Sequence, residues 1–443
     1  MNKNNNRDKL QGFHFPLKEI ITFIVMIVVF VVLLVVSVII PKEAISSNME
    51  ASAKFLCDRP VFEERVENVA GSRIDRYADS ILLGITWQYD SKRPLESVMR
   101  SSYYYTAYQN ENDNLLDAVT EDIPANQQYL RYWHGSGAIV RILLTVLSIK
   151  GIYVLNGIVI AILYLTLIIV LLRKRGLIPA VGMVIGLILV SVWYVPLSLE
   201  YSWMFILTPV FSLIALEIAW HKKESMCSIA FLCFGMITNY LDFLTTETLT
   251  LTIPLLLMLW AEKNDDDGYT GYGVTVRRCV LPWGIGYAGT WMSKWALAAI
   301  VLKENTLPYV TGHIAERIGK NDMAGMSTGS FLLGAVTRNI RCVFPLEYGI
   351  IGVMVGVALI IGYAYLAFVY RGKLKNRRRI VMYLAITCIP YVRFIVLHNH
   401  SYIHCFFTYR AQLAVFLAMV LILDELSVFE VLKRRWMHAK RSG

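Results

Sequence analysis

Apolar and polar positions along this chain fall into long blocks, and the first block sets the frame for the rest. From Ile20 to Ile40 the residues are almost all apolar over 21 positions, enough to cross a bilayer core at the ~1.5 Å rise of a helix. A cleavable leader has a shorter apolar stretch, ~7–15 residues, and ends in a small-residue site. Ile39-Ile40-Pro41-Lys42 is no such site, so this segment is predicted to remain as a helix. A polar insert follows, from residue 41 to about 135. Beyond it, apolar blocks recur at about 152–172, 177–195, 203–220, 226–244, 247–261, 279–302, 347–370, 380–397 and 407–424. The pattern predicts an all-α integral membrane fold of about ten transmembrane helices, with a large external first loop carrying surface helices. One apolar stretch, Ile139 to Ile149, is too short to span. It reads as an interfacial or re-entrant helix, with a hidden extra pair of spans as the alternative.

Composition agrees with the pattern. Hydrophobic residues make up 56% of the chain and charged residues 17%, more apolar surface than a soluble domain of this length buries. The net charge of +10 suggests no nucleic-acid partner, because the basic residues sit in short segments between apolar blocks. Lys3, Arg7, Lys9 and Lys18 lead into the first span. Arg173-Lys174-Arg175, His221-Lys222-Lys223, Arg277-Arg278, Arg371 to Arg379 and Lys433 to Arg441 occupy later segments, and a ten-span topology puts all of them on one side. The positive-inside rule makes that side cytoplasmic, with both termini on it, in a multi-pass protein of the plasma membrane. The chain then divides into a tail 1–17, a first span 18–40, an external loop domain 41–135, a polytopic domain 136–427 and a basic tail 428–443. Asp265-Asp266-Asp267 reads as a solvated cytoplasmic turn. None of the seven cysteines forms a CxxC pair. Free core thiols are the default, and a bridge between Cys57 and Cys342 in external loops is the alternative.

With this orientation, the unusual polar residues collect outside or at outer helix ends. They form the segments Arg73 to Ser80, Arg131 to Gly135, Glu200 to Trp203, Asn239 to Glu247 and His398 to Arg410, and His134, His313, His398, His400 and His404 lie on that side. An ionisable group near the hydrocarbon costs ~2.5–3.5 kcal/mol on insertion scales, so such groups mark a site or a buried pair. Asp75 and Asp79 are the catalytic candidates. Four residues apart on a helix, they share one face at ~6 Å. That suits a general base beside a second carboxylate, or a divalent-cation site for Mg or Mn, which the sequence does not require. The plain alternative is a solvated face with Arg73 and Arg76 as partners. The apolar run from Ser80 to Ile85 predicts that this helix lies on the membrane surface.

His400 and His404 also share a helical face. With His398 they permit a zinc reading, although no HExxH glutamate accompanies them. Anion recognition is preferred, with Tyr409 as a donor and Arg410 as a bidentate fork; the alternative for Arg410 is an ion pair with Asp242 or Glu200. Arg131 and His134 stand where the insert returns to the membrane. Lys294 lies about eight residues inside the outer end of its span, so it faces a cavity or pairs with a carboxylate such as Asp242.

Taken with the topology, the segments Asp75 to Ile85, Arg131 to Gly135, Asp242 to Thr246 and Asn399 to Arg410 resemble the GT-C class of membrane glycosyltransferases and poorly characterised bacterial multi-span proteins. The resemblance implies a polyprenyl-phosphate-linked sugar donor, an acidic catalytic residue in the first external loop, and inverting transfer to a cell-envelope glycan, lipid or protein acceptor. It would make Asp75 or Asp79 the base. Arg131, His134, Asp242, Lys294, His398, His400, His404, Tyr409 and Arg410 would bind substrate or its phosphate. Many members carry the acidic residue soon after the first span, whereas Asp75 comes 35 residues after Ile40. Two other classes stand beside this one: a transporter or flippase of lipid-linked glycans, for which repeat symmetry or broken midplane helices are expected, and an O-antigen-type polymerase or ligase.

Overall fold

Residues Leu17–Val38 form one 22-residue helix whose two sides meet different surroundings. Phe30, Leu34 and Val38, spaced by four, are buried against protein, while Ile21, Ile24, Val25, Val28 and Val32 are half exposed. An apolar surface of that extent fits hydrocarbon as its solvent, not water. The computed structural model describes residues 17–262, 275–318 and 326–442. The tail with Lys3, Arg7 and Lys9 and the Asp265-Asp266-Asp267 turn lie outside the described residues.

Six helices among these residues are long and apolar enough to cross a membrane: Leu17–Val38, Ile149–Arg173, Leu199–Trp220, Gly349–Val369, Arg377–Val396 and Cys405–Glu425. The protein is therefore a helical multi-pass membrane protein. Leu199–Trp220 and Cys405–Glu425 are mostly buried and form the middle of the bundle, whereas Gly349–Val369 exposes Ile350, Ile351, Met354 and Phe368. Shorter apolar helices, Leu177–Leu189, Cys227–Leu241 and Leu249–Ala261, pack among them. Leu281–Leu302 adds another 22 residues and carries Lys294. The block predicted at 177–195 is interrupted: its helix stops at Leu189, Ser191 turns left-handed at φ 52°, and a 3-10 turn runs Val192–Leu197.

The insert packs onto one end of the bundle. It contains the helices Lys42–Cys57, Tyr77–Trp87, Pro94–Arg100 and Glu111–Thr120 and one antiparallel hairpin, Phe62–Glu64 with Arg73–Asp75. The Trp133 indole donates to the Thr290 carbonyl at 2.7 Å, anchoring the end of the insert to the Leu281–Leu302 helix. Tyr77–Trp87 does not lie on a membrane surface as its sequence predicts, because every residue from Asp79 to Trp87 is buried in protein. The reason is compositional: a helix apolar on all sides from Ile81 onward has no polar face to give to water or headgroups. The short stretch after the insert forms a nine-residue helix, Gly135–Leu143, and no extra pair of spans. Its Arg141 is buried and donates to the Thr86 and Ile40 carbonyls.

Two of the helices approach almost backbone to backbone. A Cβ on Gly235 would stand inside van der Waals distance of the Trp283 carbonyl, and one on Gly286 would meet the Leu232 carbonyl. Small residues at such crossings let helices associate where hydrocarbon supplies no hydrophobic drive. Gly284, in the same segment, has open space around it. Gly235→Ala and Gly286→Ala are each expected to lower stability by ~1–3 kcal/mol through overpacking, and Gly284→Ala to leave it unchanged, read as thermal unfolding in detergent.

Candidate functional site

The hairpin and the helix after it place the first candidate residues. Asp75 ends the second strand, opposite Phe62, and its Oδ1 accepts the Ala78 N–H at 2.9 Å, capping the turn that starts Tyr77–Trp87. Asp75 and Asp79 therefore do not share a helix face; one terminates a strand and the other sits in the first helical turn. Arg73 and Arg76 do not bond to them directly, although the charge of Arg73 acts on Asp75 and that of Arg76 on Asp79. Arg73 pairs with Glu64 at 2.6 Å and Arg76 with Glu63, both across the hairpin. The two aspartates are thereby left to face inward.

Asp79 is held by three donors from the bundle. Its Oδ1 accepts the Leu199 N–H at 2.9 Å and the Ser198 hydroxyl at 3.2 Å, and its Oδ2 accepts the Tyr153 hydroxyl. An insert side chain thus caps the N-terminus of Leu199–Trp220, where unpaired N–H groups and the helix dipole favour negative charge. That cap aims the next residue, Glu200, at Asp75, and the two carboxyls lie within hydrogen-bonding reach of one another. Two carboxyls bond only when one of them carries a proton. Burial holds the Asp75 carboxyl above the ordinary aspartate range.

These groups line a cavity of ≈ 240 Å³ that also includes Arg131, His134, His400, His404 and Arg317. Six of the residues expected from sequence therefore meet: Asp75, Asp79, Arg131, His134, His400 and His404. Arg131 donates to the Tyr129 hydroxyl at 2.6 Å, lies 3.0 Å from His313 Nδ1, and stacks over Tyr129 and Tyr132. His134 is not a cation. Burial pushes its pKa down to about 3, and its Nε2–H donates to the Tyr129 carbonyl at 2.9 Å. His400 is likewise neutral, lowered by burial and by His404 and Arg393. Its Nδ1 lies 3.4 Å from the Arg393 guanidinium, which places its proton on Nε2. Arg393 is itself locked to Glu247 at 2.8 Å.

Five expected residues do not line the cavity, and each has a structural occupation. Arg410 donates to the Phe406 carbonyl at 3.1 Å and the Gly71 carbonyl at 3.0 Å, between the rings of Tyr201 and Tyr409. It pairs with neither Asp242 nor Glu200. The Tyr409 hydroxyl sits 3.0 Å from the Val190 carbonyl and 3.3 Å from that of Gly71. Lys294 neither faces the cavity nor meets a carboxylate; its ammonium donates to the Val98 and Met99 carbonyls at 2.7 and 3.0 Å, satisfying the end of Pro94–Arg100. Asp242 accepts the N–H groups of Leu244 and Thr245 at 2.8 and 3.0 Å and forms a turn. His398 turns away, with Nδ1 3.2 Å from the Ile395 carbonyl and its ring edge-on to Phe331.

Among the described residues, no group of three or more His, Cys, Asp or Glu side chains is arranged to hold a metal ion. Cys57 donates to Asp113 at 3.2 Å, and Cys342 packs against Cys405, so the Cys57–Cys342 bridge does not form. Glu200, Tyr153 and Arg317 join the site without a sequence signal that assigns them to it. Arg317 was legible only as the i+4 neighbour of His313, both on Leu307–Ile318. No described family, characterised protein or solved structure matches this chain.

Burial pushes the Asp79 carboxyl up to about 7 from 3.8; the Tyr153 hydroxyl and Leu199 N–H oppose the rise and Asp75 adds to it. Between these values the folded protein keeps a proton that the unfolded chain has released. The stability from that proton is full below pH ~4 and lost as the pH rises through ~7. Melting temperature is therefore expected to fall from pH 5 to pH 8, and to fall less in Asp79→Asn, whose amide does not titrate and still accepts the Leu199 N–H.

Proposed function

We propose that this protein is an inverting glycosyltransferase of the GT-C kind, taking a sugar from a polyprenyl-phosphate donor to a cell-envelope hydroxyl acceptor. The observation that carries the reading is the junction of two spaces. The polar cavity shares Arg131, Tyr132 and Arg317 with an apolar groove of ≈ 290 Å³ walled by Ala288, Trp291, Met292, Trp295, Ile314 and Val396. The carboxyls line only the cavity. An amphiphile seated across the junction has its phosphate at the two arginines, its chain in the groove and its sugar facing Asp75 and Glu200.

In this reading Asp75, or Glu200 through the proton they share, accepts the proton of the acceptor hydroxyl as its oxygen attacks the anomeric carbon. The bond from that carbon to the phosphate oxygen breaks, and its electron pair leaves on the lipid phosphate. Arg131 and Arg317 stabilise the charge that develops there, with the His400 Nε2–H as a neutral donor. Asp79 positions Glu200 and does not react. The cavity has room for about eight waters at ~30 Å³ each, which suits one sugar unit better than the growing glycan of a polymerase. Arg173, which ends Ile149–Arg173, and Lys222 and Lys223, which follow Leu199–Trp220, lie at the helix ends away from the cavity. That supports an orientation with the cavity on the outer face of the plasma membrane and the basic segments in the cytoplasm.

The test is transfer of radiolabelled sugar from a panel of polyprenyl-phosphate donors by purified protein in nanodiscs. Asp75→Asn is expected to lower the rate ~10²–10⁴-fold, and Arg131→Ala or Arg317→Ala ~10²–10³-fold, with the fold retained. Arg410→Ala is expected to act through stability instead. The reading fails if no donor gives product, or if turnover is indifferent to Asp75→Asn and to Arg131→Ala; movement of intact lipid-linked glycan would then point to transport.

A further inference from the structure

A second and larger cavity, ≈ 860 Å³, lies at the opposite end of the bundle. Glu200 lines the first cavity and Trp220 the second. Their separation of twenty positions along one helix places the two spaces ~30 Å apart.

The walls of this cavity have two characters. Trp220, Trp260, Leu177, Pro179, Val420 and Phe429 are apolar, whereas Lys174, Arg175 and Lys433 bring three cations. The Lys174 ammonium sits 4.9 Å over the Trp220 ring. Arg175 is in a left-handed turn at φ 60°, and the Trp260 ring lies 2.6 Å from where a Cβ on Gly176 would stand. The turn carrying two of the cations is thus seated on the tryptophan.

Asp424 also lines the cavity, and it and the nearby carboxylates are held by other cations. Asp424 and Glu430 both hold Lys375 at 2.9 Å, Glu425 holds Arg379 at 2.7 Å, and Glu217 holds His221 at 2.8 Å. Among the described residues Lys174, Arg175 and Lys433 form no ion pair. With Asp424 held by Lys375, three cations without an ion pair beside apolar walls call for an anion with a hydrocarbon chain. The helix Val428–Ser442, which supplies Phe429 and Lys433, also exposes Arg434, Arg435 and Trp436, as a helix at a headgroup surface does.

We propose that this cavity is a binding site for one anionic phospholipid, its phosphate held by Lys174, Arg175 and Lys433 and its acyl chain lying against Trp220, Trp260 and Val420. Juxtamembrane cations and basic pockets between spanning helices recognise anionic headgroups in this way.

The experiment measures lipid retention by native mass spectrometry and thermal unfolding in detergent, with phosphatidylglycerol, phosphatidylcholine or soluble glycerol phosphate added. Phosphatidylglycerol is expected to remain as about one bound lipid and to raise the melting temperature, while the other two do neither. Affinity should fall roughly 100-fold in the triple variant Lys174→Ala, Arg175→Ala, Lys433→Ala, about fivefold per cation. It should be unchanged in Arg434→Ala, Lys440→Ala, which removes exposed charge outside the cavity. Equal loss in both variants would show diffuse surface attraction and overturn the site. An equal shift with glycerol phosphate would overturn the lipid in favour of a free phosphate ligand, and retention of phosphatidylglycerol by the triple variant would reject the three cations as its holders.

Discussion

The contact between Asp79 and the start of Leu199–Trp220 is the one on which the candidate site depends. It joins a side chain of the insert to the backbone of a central helix, and the Tyr153 hydroxyl draws in the Ile149–Arg173 helix as a third element. A helix N-terminus buried under other protein needs acceptors for its unpaired N–H groups, and this one is supplied from about 120 residues away in sequence. Asp79 satisfies that need and also fixes the azimuth of Glu200, the next residue along the helix. The Asp75–Glu200 pair is a consequence of the cap.

Around that pair, charge is sorted by what each group has to satisfy. Arg410, Lys294 and Arg141 are buried, and all three spend their donors on backbone carbonyls: Gly71 and Phe406, Val98 and Met99, Thr86 and Ile40. Carbonyls at helix ends and irregular turns have no water to bond within a membrane protein, and a long cationic side chain reaches them. Gly71 shows how tight such a junction is, since a Cβ there would collide with Glu347 and stand 2.8 Å from the Cys342 carbonyl. Arg131 and Arg317 differ, because both line the polar cavity and the apolar groove beside it.

The molecule thus has two polar ends with different chemistry. At the insert end, carboxyls and neutral histidines line a small cavity that shares Arg131, Tyr132 and Arg317 with an apolar groove. At the far end, cations and tryptophans surround a larger one. The helices between are apolar outward and carry few ions inward, so the ends are insulated from each other by hydrocarbon on one side and packed side chains on the other.

Much of this was legible in the sequence. The apolar blocks gave the helical membrane fold, because the length of an apolar run answers directly to bilayer thickness. Asp75, Asp79, Arg131, His134, His400 and His404 were legible as well, since ionisable residues beside apolar blocks are rare. The same signal also raised Arg410, Lys294, Asp242, Tyr409 and His398. The cost of burying an ion is equal whether a ligand or a carbonyl offsets it, so sequence marks the ion and not its partner. Which use prevails is settled by contacts between distant segments: Gly71 with Arg410, Val98 with Lys294, Leu199 with Asp79. Composition and period determined that this chain enters a membrane as helices; only the tertiary structure decided which of its charges face a cavity, because that depends on where the backbone leaves polar groups unsatisfied.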